Sequence, residues 1–200
     1  MSSMIEYVIV ILASTLFGIQ HSGVSALSVK EKIIDRWGKE GYSTFFTATS
    51  ILTLLVAVLS MNFWNWFYFI IEPNLIQPFL FILGILAMIS GVVVAAKASK
   101  VISVSTVADM RTDRKPELIT DGLYAHIRHP LYLATILVFG AMALIYPFPI
   151  VVSFALCMII YTLIGAYFEE RKLIIHYGEE YLTYKKHAGF ILPKRSSSEF

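Results

Sequence analysis

Apolar residues in this chain gather in long runs rather than alternating with polar ones. Five stretches, residues 4–21, 45–70, 78–96, 131–146 and 148–168, read as membrane-crossing helices, the fourth being the shortest. A helix needs roughly 20 mostly apolar residues to cross the hydrocarbon core. Between the last two stretches stands Pro147-Phe148-Pro149, which carries no charge. Two prolines break helix continuity, and one helix over both stretches would outrun any bilayer, so a tight helical hairpin is predicted. Between the first two runs, VKEKIIDRWGKEGYSTFF is amphipathic, with Ile33, Ile34 and Trp37 on one side and Lys30, Glu31, Asp35 and Lys39 around them. It reads either as a short helix lying on the membrane surface or as a solvated connector. The second run ends in NFWNWFYFI, whose Trp64, Trp66 and Tyr68 read as an interfacial aromatic belt with no chemistry assigned.

Charge fixes an expected orientation. The loops 22–44 and 97–130 and the tail 169–200 together hold all sixteen Lys and Arg residues. Five spans put those three segments on one side, and the positive-inside rule makes that side cytoplasmic. Composition agrees: 57% of residues are hydrophobic and 15% charged, against about 25% charged in soluble domains. The expected fold is an all-α integral membrane protein of about five transmembrane helices. Its N-terminus is outside, its C-terminus is cytoplasmic, and short amphipathic helices lie on the cytoplasmic face. In a prokaryote that membrane is the plasma or inner membrane. Membrane lipids are the expected partners, and the net charge of +2 gives no reason to expect nucleic acid. The first span lacks a basic leader and a clear cleavage motif, so no removable signal peptide is expected. Cys157 is the only cysteine, deep in the fifth span, and reads as a buried thiol. Two regions of one structural domain are expected: residues 1–96 with three spans, and residues 97–200 with the hairpin and the polar segments beside it.

Those polar segments carry the candidate chemistry. Upstream of the hairpin, Asp121-Gly122 is a turn signal, followed by Tyr124, His126 and RHPLY at residues 128–132. The residue before proline is pushed to an extended conformation, and Pro130 suits the first position of a helix. His129 is therefore predicted at the N-cap. A helix start has unpaired N–H groups and a partial positive charge, which attract anions. Arg128 could strengthen that site, or simply anchor at the interface. Downstream, Glu169 and Glu170 close the fifth span. Neighbours on a helix point about 100° apart, so one can face inward while the other meets water. Gly178 is predicted to break the helix before a second amphipathic piece, where Tyr177, Tyr181 and Tyr184 could share a face. Together the segments suit a ligand with both a carboxylate and a positive centre. A metal site is disfavoured, because Pro130 interrupts the helix that would align His126 with His129.

The run GLYAHIRHPLY, a hairpin, then EERKLIIHYGEEYLTYKKH resembles the catalytic half of the isoprenylcysteine carboxyl methyltransferases, relatives of the phospholipid methyltransferases. The shared pattern is G-x-Y-x-x-x-R-H-P-x-Y, then E-E-x-x-L, then G-x-E-Y-x-x-Y, over about residues 116–193. FGIQHSG and GKEGYSTFFTATS in the first half are similar to NnrU-type membrane proteins and to methanethiol S-methyltransferases. The resemblance implies a membrane methyltransferase using S-adenosylmethionine at the cytoplasmic face. Its cofactor contacts fall on the backbone of Leu118 and Ile119 and on Tyr124, His129, Pro130, Tyr132 and Glu169. No metal is implied. The implied acceptor is a small thiol, a prenylcysteine carboxyl or a lipid-like molecule. His21 could serve that acceptor as a base or hydrogen-bond donor, or merely pack. The alternative is a non-enzymatic NnrU-type protein, a scaffold or transport-associated subunit. Two positions depart from the carboxyl methyltransferase pattern. Gly165 stands where those enzymes have the arginine that handles the substrate carboxylate, with Arg128 the candidate replacement. Pro116 stands where they have a histidine.

Overall fold

A computed structural model describes residues 3–61, 66–100 and 118–194. Trp64, Pro116 and the basic residues Arg111, Arg114, Lys115 and Arg195 lie outside the described residues. Within them the protein is helical. The order is α1 (Met4–Ser25), α2 (Leu27–Leu59), α3 (Tyr68–Ile71), α4 (Pro78–Ser99), α5 (Pro130–Ile145), α6 (Pro149–Tyr177) and α7 (Glu179–His187). Four of these, α1, α2, α4 and α6, are long and apolar enough to cross a membrane. The fourth predicted span, α5, has 16 residues, a rise of about 24 Å against a hydrocarbon core of about 30 Å.

The chain divides into two compact units. The first comprises Met1–Gly84 and Met142–Tyr161, the second Ile85–Ala141 and Thr162–Phe200. In the first unit, the hydroxyl of Ser3 accepts from the Glu6 N–H at 3.4 Å and caps α1. Helix α1 buries Val10, Ala13, Ser14, Phe17 and Gly18, one face at helical spacing. Apolar side chains on its other faces stay exposed, Leu12 at 62% for instance, which suits lipid rather than water. Ala26 is the only residue between α1 and α2, in an extended conformation. Helix α2 is interrupted at Gly38, whose φ of 73° lies in the left-handed region that favours glycine. At Gly41 a Cβ would come within 2.6 Å of the Trp37 Cβ. Leu27–Trp37 is thus a separate amphipathic piece ahead of the span.

That span was predicted to run to residue 70, but α2 ends at Leu59 and the aromatic run contributes the separate short α3. The reason is packing. Tyr68 is buried and its hydroxyl donates to the Ile145 carbonyl at 2.5 Å, satisfying a group at the end of α5. Its ring meets Tyr146 and Phe148 edge-on, and Trp66 packs on Tyr146. These aromatics therefore brace the turn at Pro147 in addition to any interfacial role. The proline-bounded hairpin itself is present as predicted, between Ile145 and Pro149.

In the second unit, Gly91 of α4 lies against α5. A Cβ there would meet the Ala134 carbonyl and Val138 at 3.1 Å, so the absent side chain permits the close approach. Helix α6 continues to Tyr177, beyond the predicted apolar stretch, and carries Glu169 and Glu170 on helical backbone. Gly178, at φ 60°, ends it, and α7 follows.

Replacing Tyr68 by Phe keeps the ring and removes one donor from a buried carbonyl. The expected loss is about 1–2 kcal/mol, read as a lower unfolding midpoint of the purified protein in detergent. An unchanged midpoint would discount the bond to Ile145.

Candidate functional site

The site grows from an extended stretch between a turn and a helix. Gly122, at φ 60°, turns the chain into a short 3-10 segment, Gly122–Ala125. Residues 126–129 then run alongside 188–190. The Gly189 N–H donates to the His126 carbonyl at 2.9 Å, the Arg128 N–H to Gly189 at 2.8 Å, and the His129 N–H to Phe190 at 3.1 Å. Pro130 is fully buried and starts α5, and the Leu133 N–H returns to the His129 carbonyl at 3.0 Å. His129 therefore holds the N-cap position that its place before proline predicts.

Glu170 is the inward carboxylate of the adjacent pair. Its side chain is 11% exposed, against 27% for Glu169. Arg128 sets both Nε (2.7 Å) and a terminal nitrogen (2.6 Å) on the same Glu170 oxygen. Lys185 Nζ takes the other oxygen at 2.8 Å, and the buried Tyr181 hydroxyl stands 3.5 Å from the first. The second terminal nitrogen of Arg128 donates to the Ala188 carbonyl and reaches that of Lys185 at 3.5 Å. Arg128 is thus committed to the protein on every side. Tyr184 donates to the Tyr124 carbonyl at 2.6 Å, tying α7 to the turn before the extended stretch. Burial pushes both of those phenols up to about 12, so they stay protonated.

Beside this network the His129 ring is 3% exposed, packed edge-on by Tyr132 and Phe190. Its Nε2 is buried and has no hydrogen-bond partner. The nearest Glu170 oxygen is 3.9 Å away, too far for a hydrogen bond. Burial lowers its pKa to about 4; Glu170 opposes that shift, while Arg128 and Lys185 reinforce it. The imidazole is neutral at pH 7, and an unsatisfied nitrogen of this kind fits a polar ligand group.

Of the remaining expected contacts, Tyr132 is the one that packs on the His129 ring, at 5.4 Å between centroids. Tyr124 is buried, while Leu118 and Ile119 are half-buried at the start of a described segment. Tyr132 lies next to Gly165, where a Cβ would stand 3.4 Å from its ring. The Glu169 carboxylate stands 3.9 Å from Lys172 Nζ. Among the described residues no three His, Cys, Asp or Glu side chains converge as metal ligands. Sequence reasoning singled out neither Lys185 nor Phe190. Lys185 reaches Glu170 from 15 positions away and Phe190 meets His129 from 61, pairings that no local pattern encodes.

His21 belongs to the first unit and to a separate polar cluster. Its Nδ1 lies 3.1 Å from the Ser50 hydroxyl, and its ring packs against Phe17, Phe46 and Tyr161. Next to it, Gln20 donates to Thr49 at 2.6 Å and Ser22 contacts the Tyr161 hydroxyl at 3.0 Å. Polar side chains are costly within spans, and there they usually mark function.

The pattern describing phospholipid methyltransferases matches residues 79–180, and the chain belongs to that family. It is 30% identical over 194 residues to the methanethiol S-methyltransferase of Pseudomonas deceptionensis, covering 92% of this chain and 71% of that protein. It is 34% identical over 89 residues to a methanethiol S-methyltransferase of Pseudomonas sp. strain GM41, covering 44% of this chain. It is 36% identical over 86 residues to methanethiol S-methyltransferase 1 of Bradyrhizobium diazoefficiens, covering 41% of this chain. The matches span 34% and 28% of the length of those last two relatives. No solved structure matches the chain.

The lowered His129 pKa carries a sign. Between about 6.5 and about 4, the unfolded chain binds a proton at His129 that the folded protein does not. Its contribution to stability is complete above pH 6.5 and is lost as pH falls through that window, at up to about 1.4 kcal/mol per unit. Unfolding midpoints measured from pH 7 to pH 5 should fall, and His129→Gln should flatten the slope. An equal slope in the variant would assign the acid sensitivity elsewhere.

Proposed function

We propose that this protein is an S-adenosylmethionine-dependent methyltransferase of the membrane surface, with its site on the cytoplasmic side and a small thiol as acceptor. The observation that carries the reading is the match to a methanethiol S-methyltransferase over 92% of the chain. When bound, the cofactor supplies a methyl group already activated on a sulfonium. The protein's work is then orientation and exclusion of water. His129, neutral and with Nε2 unpartnered, would hold the polar end of the cofactor at the start of α5. Glu169, with its side chain 27% exposed, would take the ammonium or the ribose hydroxyls. Tyr124 and Tyr132 would line the site, Pro130 would fix the helix start, and Leu118 and Ile119 would contribute backbone groups.

Methylating a thiol forms one carbon–sulfur bond, breaks another and releases one proton. His21 is the residue we assign to the acceptor side, where its imidazole, with Nδ1 3.1 Å from the Ser50 hydroxyl, would take up that proton. A thiol is favoured over a prenylcysteine carboxylate because Arg128 is bound to Glu170 and Gly165 offers no side chain.

Binding of S-adenosylmethionine to the purified protein, read by calorimetry, tests the first claim. Glu169→Gln is expected to weaken it tenfold or more, about 1.4 kcal/mol. Absence of binding by folded wild type would favour a non-enzymatic NnrU-type role. Transfer of a labelled methyl group should be fastest to small alkane thiols in a panel that includes prenylcysteine and phospholipid vesicles. His21→Ala should raise the KM for thiol about tenfold and leave the cofactor Kd unchanged. A shift in the cofactor Kd instead would remove His21 from the acceptor side.

A further inference from the structure

The family match ends at residue 180, yet the network around Glu170 draws on Lys185, Ala188, Gly189 and Phe190 beyond it. We propose that the segment Ala188–Phe190 is a strap that completes the cofactor site, with Arg128, Glu170 and Lys185 as positioning residues that hold it against His129. This rests on the cofactor reading above.

The geometry supports this in three ways. First, three backbone hydrogen bonds run between residues 126–129 and 189–190, and the last of them fixes the His129 N–H on the Phe190 carbonyl. Second, Phe190 is a wall of the site, with its ring centroid 5.0 Å from that of His129 and 5.7 Å from the Arg128 guanidinium carbon. Third, Gly189 permits a sharp fold-back. A Cβ there would collide with the Leu192 carbonyl oxygen and lie 2.7 Å from the Lys194 nitrogen. Backbone atoms cannot move aside as a flexible side chain can. Arg128 joins the two halves of the device, since one arm neutralises Glu170 of α6 and the other holds the Ala188 carbonyl of the strap. Charge alone would not achieve this. A lysine at 128 has one compact head, whereas the guanidinium reaches a carboxylate and two carbonyls in one plane.

Two full-length variants test the strap. Gly189→Ala forces it open with every charge in place, and Arg128→Lys keeps the charge but loses the geometry. Each is expected to weaken S-adenosylmethionine binding by about tenfold, with kcat at saturating cofactor nearly retained. A second readout needs no cofactor. With imidazole 15N labelling, His129 in wild type should remain neutral well below pH 6. In Gly189→Ala, solvent entry should move its titration toward the ordinary value near 6.5. A folded Gly189→Ala protein with the wild-type His129 titration and cofactor affinity would overturn the proposal. If wild type binds no cofactor but the titration shifts in the variant, the strap stands as a device that shields His129 and the cofactor reading falls.

Discussion

The second unit depends on one buried carboxylate. An ionised glutamate removed from water needs opposite charge and well-placed donors, and losing one partner of such a pair costs about 3–5 kcal/mol. Glu170 meets that need with Arg128 from the start of α5 and Lys185 and Tyr181 from α7. One charge on α6 thereby sets the position of two other segments, and the second arm of Arg128 adds a third, the strap at Ala188. The excess positive charge around Glu170 also has a consequence for its neighbour. His129 is kept neutral by burial together with Arg128 and Lys185, although a carboxylate stands 3.9 Å away. A neutral imidazole can donate or accept at its free nitrogen according to tautomer, so the ligand's own chemistry decides which.

Features written into backbone chemistry were legible in the sequence. Proline cannot continue a helix, so Pro147 and Pro149 announced the hairpin and Pro130 the start of α5. Gly178 ends α6 as expected from its freedom at positive φ. Length and apolarity located the long spans, because the bilayer sets a minimum that few other structures satisfy. The boundary of α2 was not legible. Aromatic residues at 66–69 are as suitable for a helix end as for a separate packing element. The choice fell to tertiary partners, chiefly the Ile145 carbonyl that Tyr68 satisfies.

The site was legible in its parts but not in its pairings. The adjacency of Glu169 and Glu170 implied that only one faces inward, but helical periodicity could not say which without the phase of α6. The structure resolves that phase by turning Glu170 to Arg128 and leaving Glu169 toward Lys172. His21 was visible as a polar residue in an apolar run. Its aromatic enclosure by Phe17, Phe46 and Tyr161 depends on contacts with residues 25 to 140 positions away, or a single turn back, and only the fold brings them together.

The commitment of Arg128 bears on the acceptor. For this arginine to bind a substrate carboxylate it would have to leave Glu170 and two backbone carbonyls. The buried glutamate would then keep only Lys185 and the more distant Tyr181 hydroxyl, and the carbonyls would lose a charged donor whose hydrogen bonds are each worth about 1.5–3 kcal/mol. A single ion pair with an incoming carboxylate offers no clear surplus over what it would replace. Gly165 offers no substitute, since its position is already backed by the Tyr132 ring. An acceptor that arrives neutral makes no such demand.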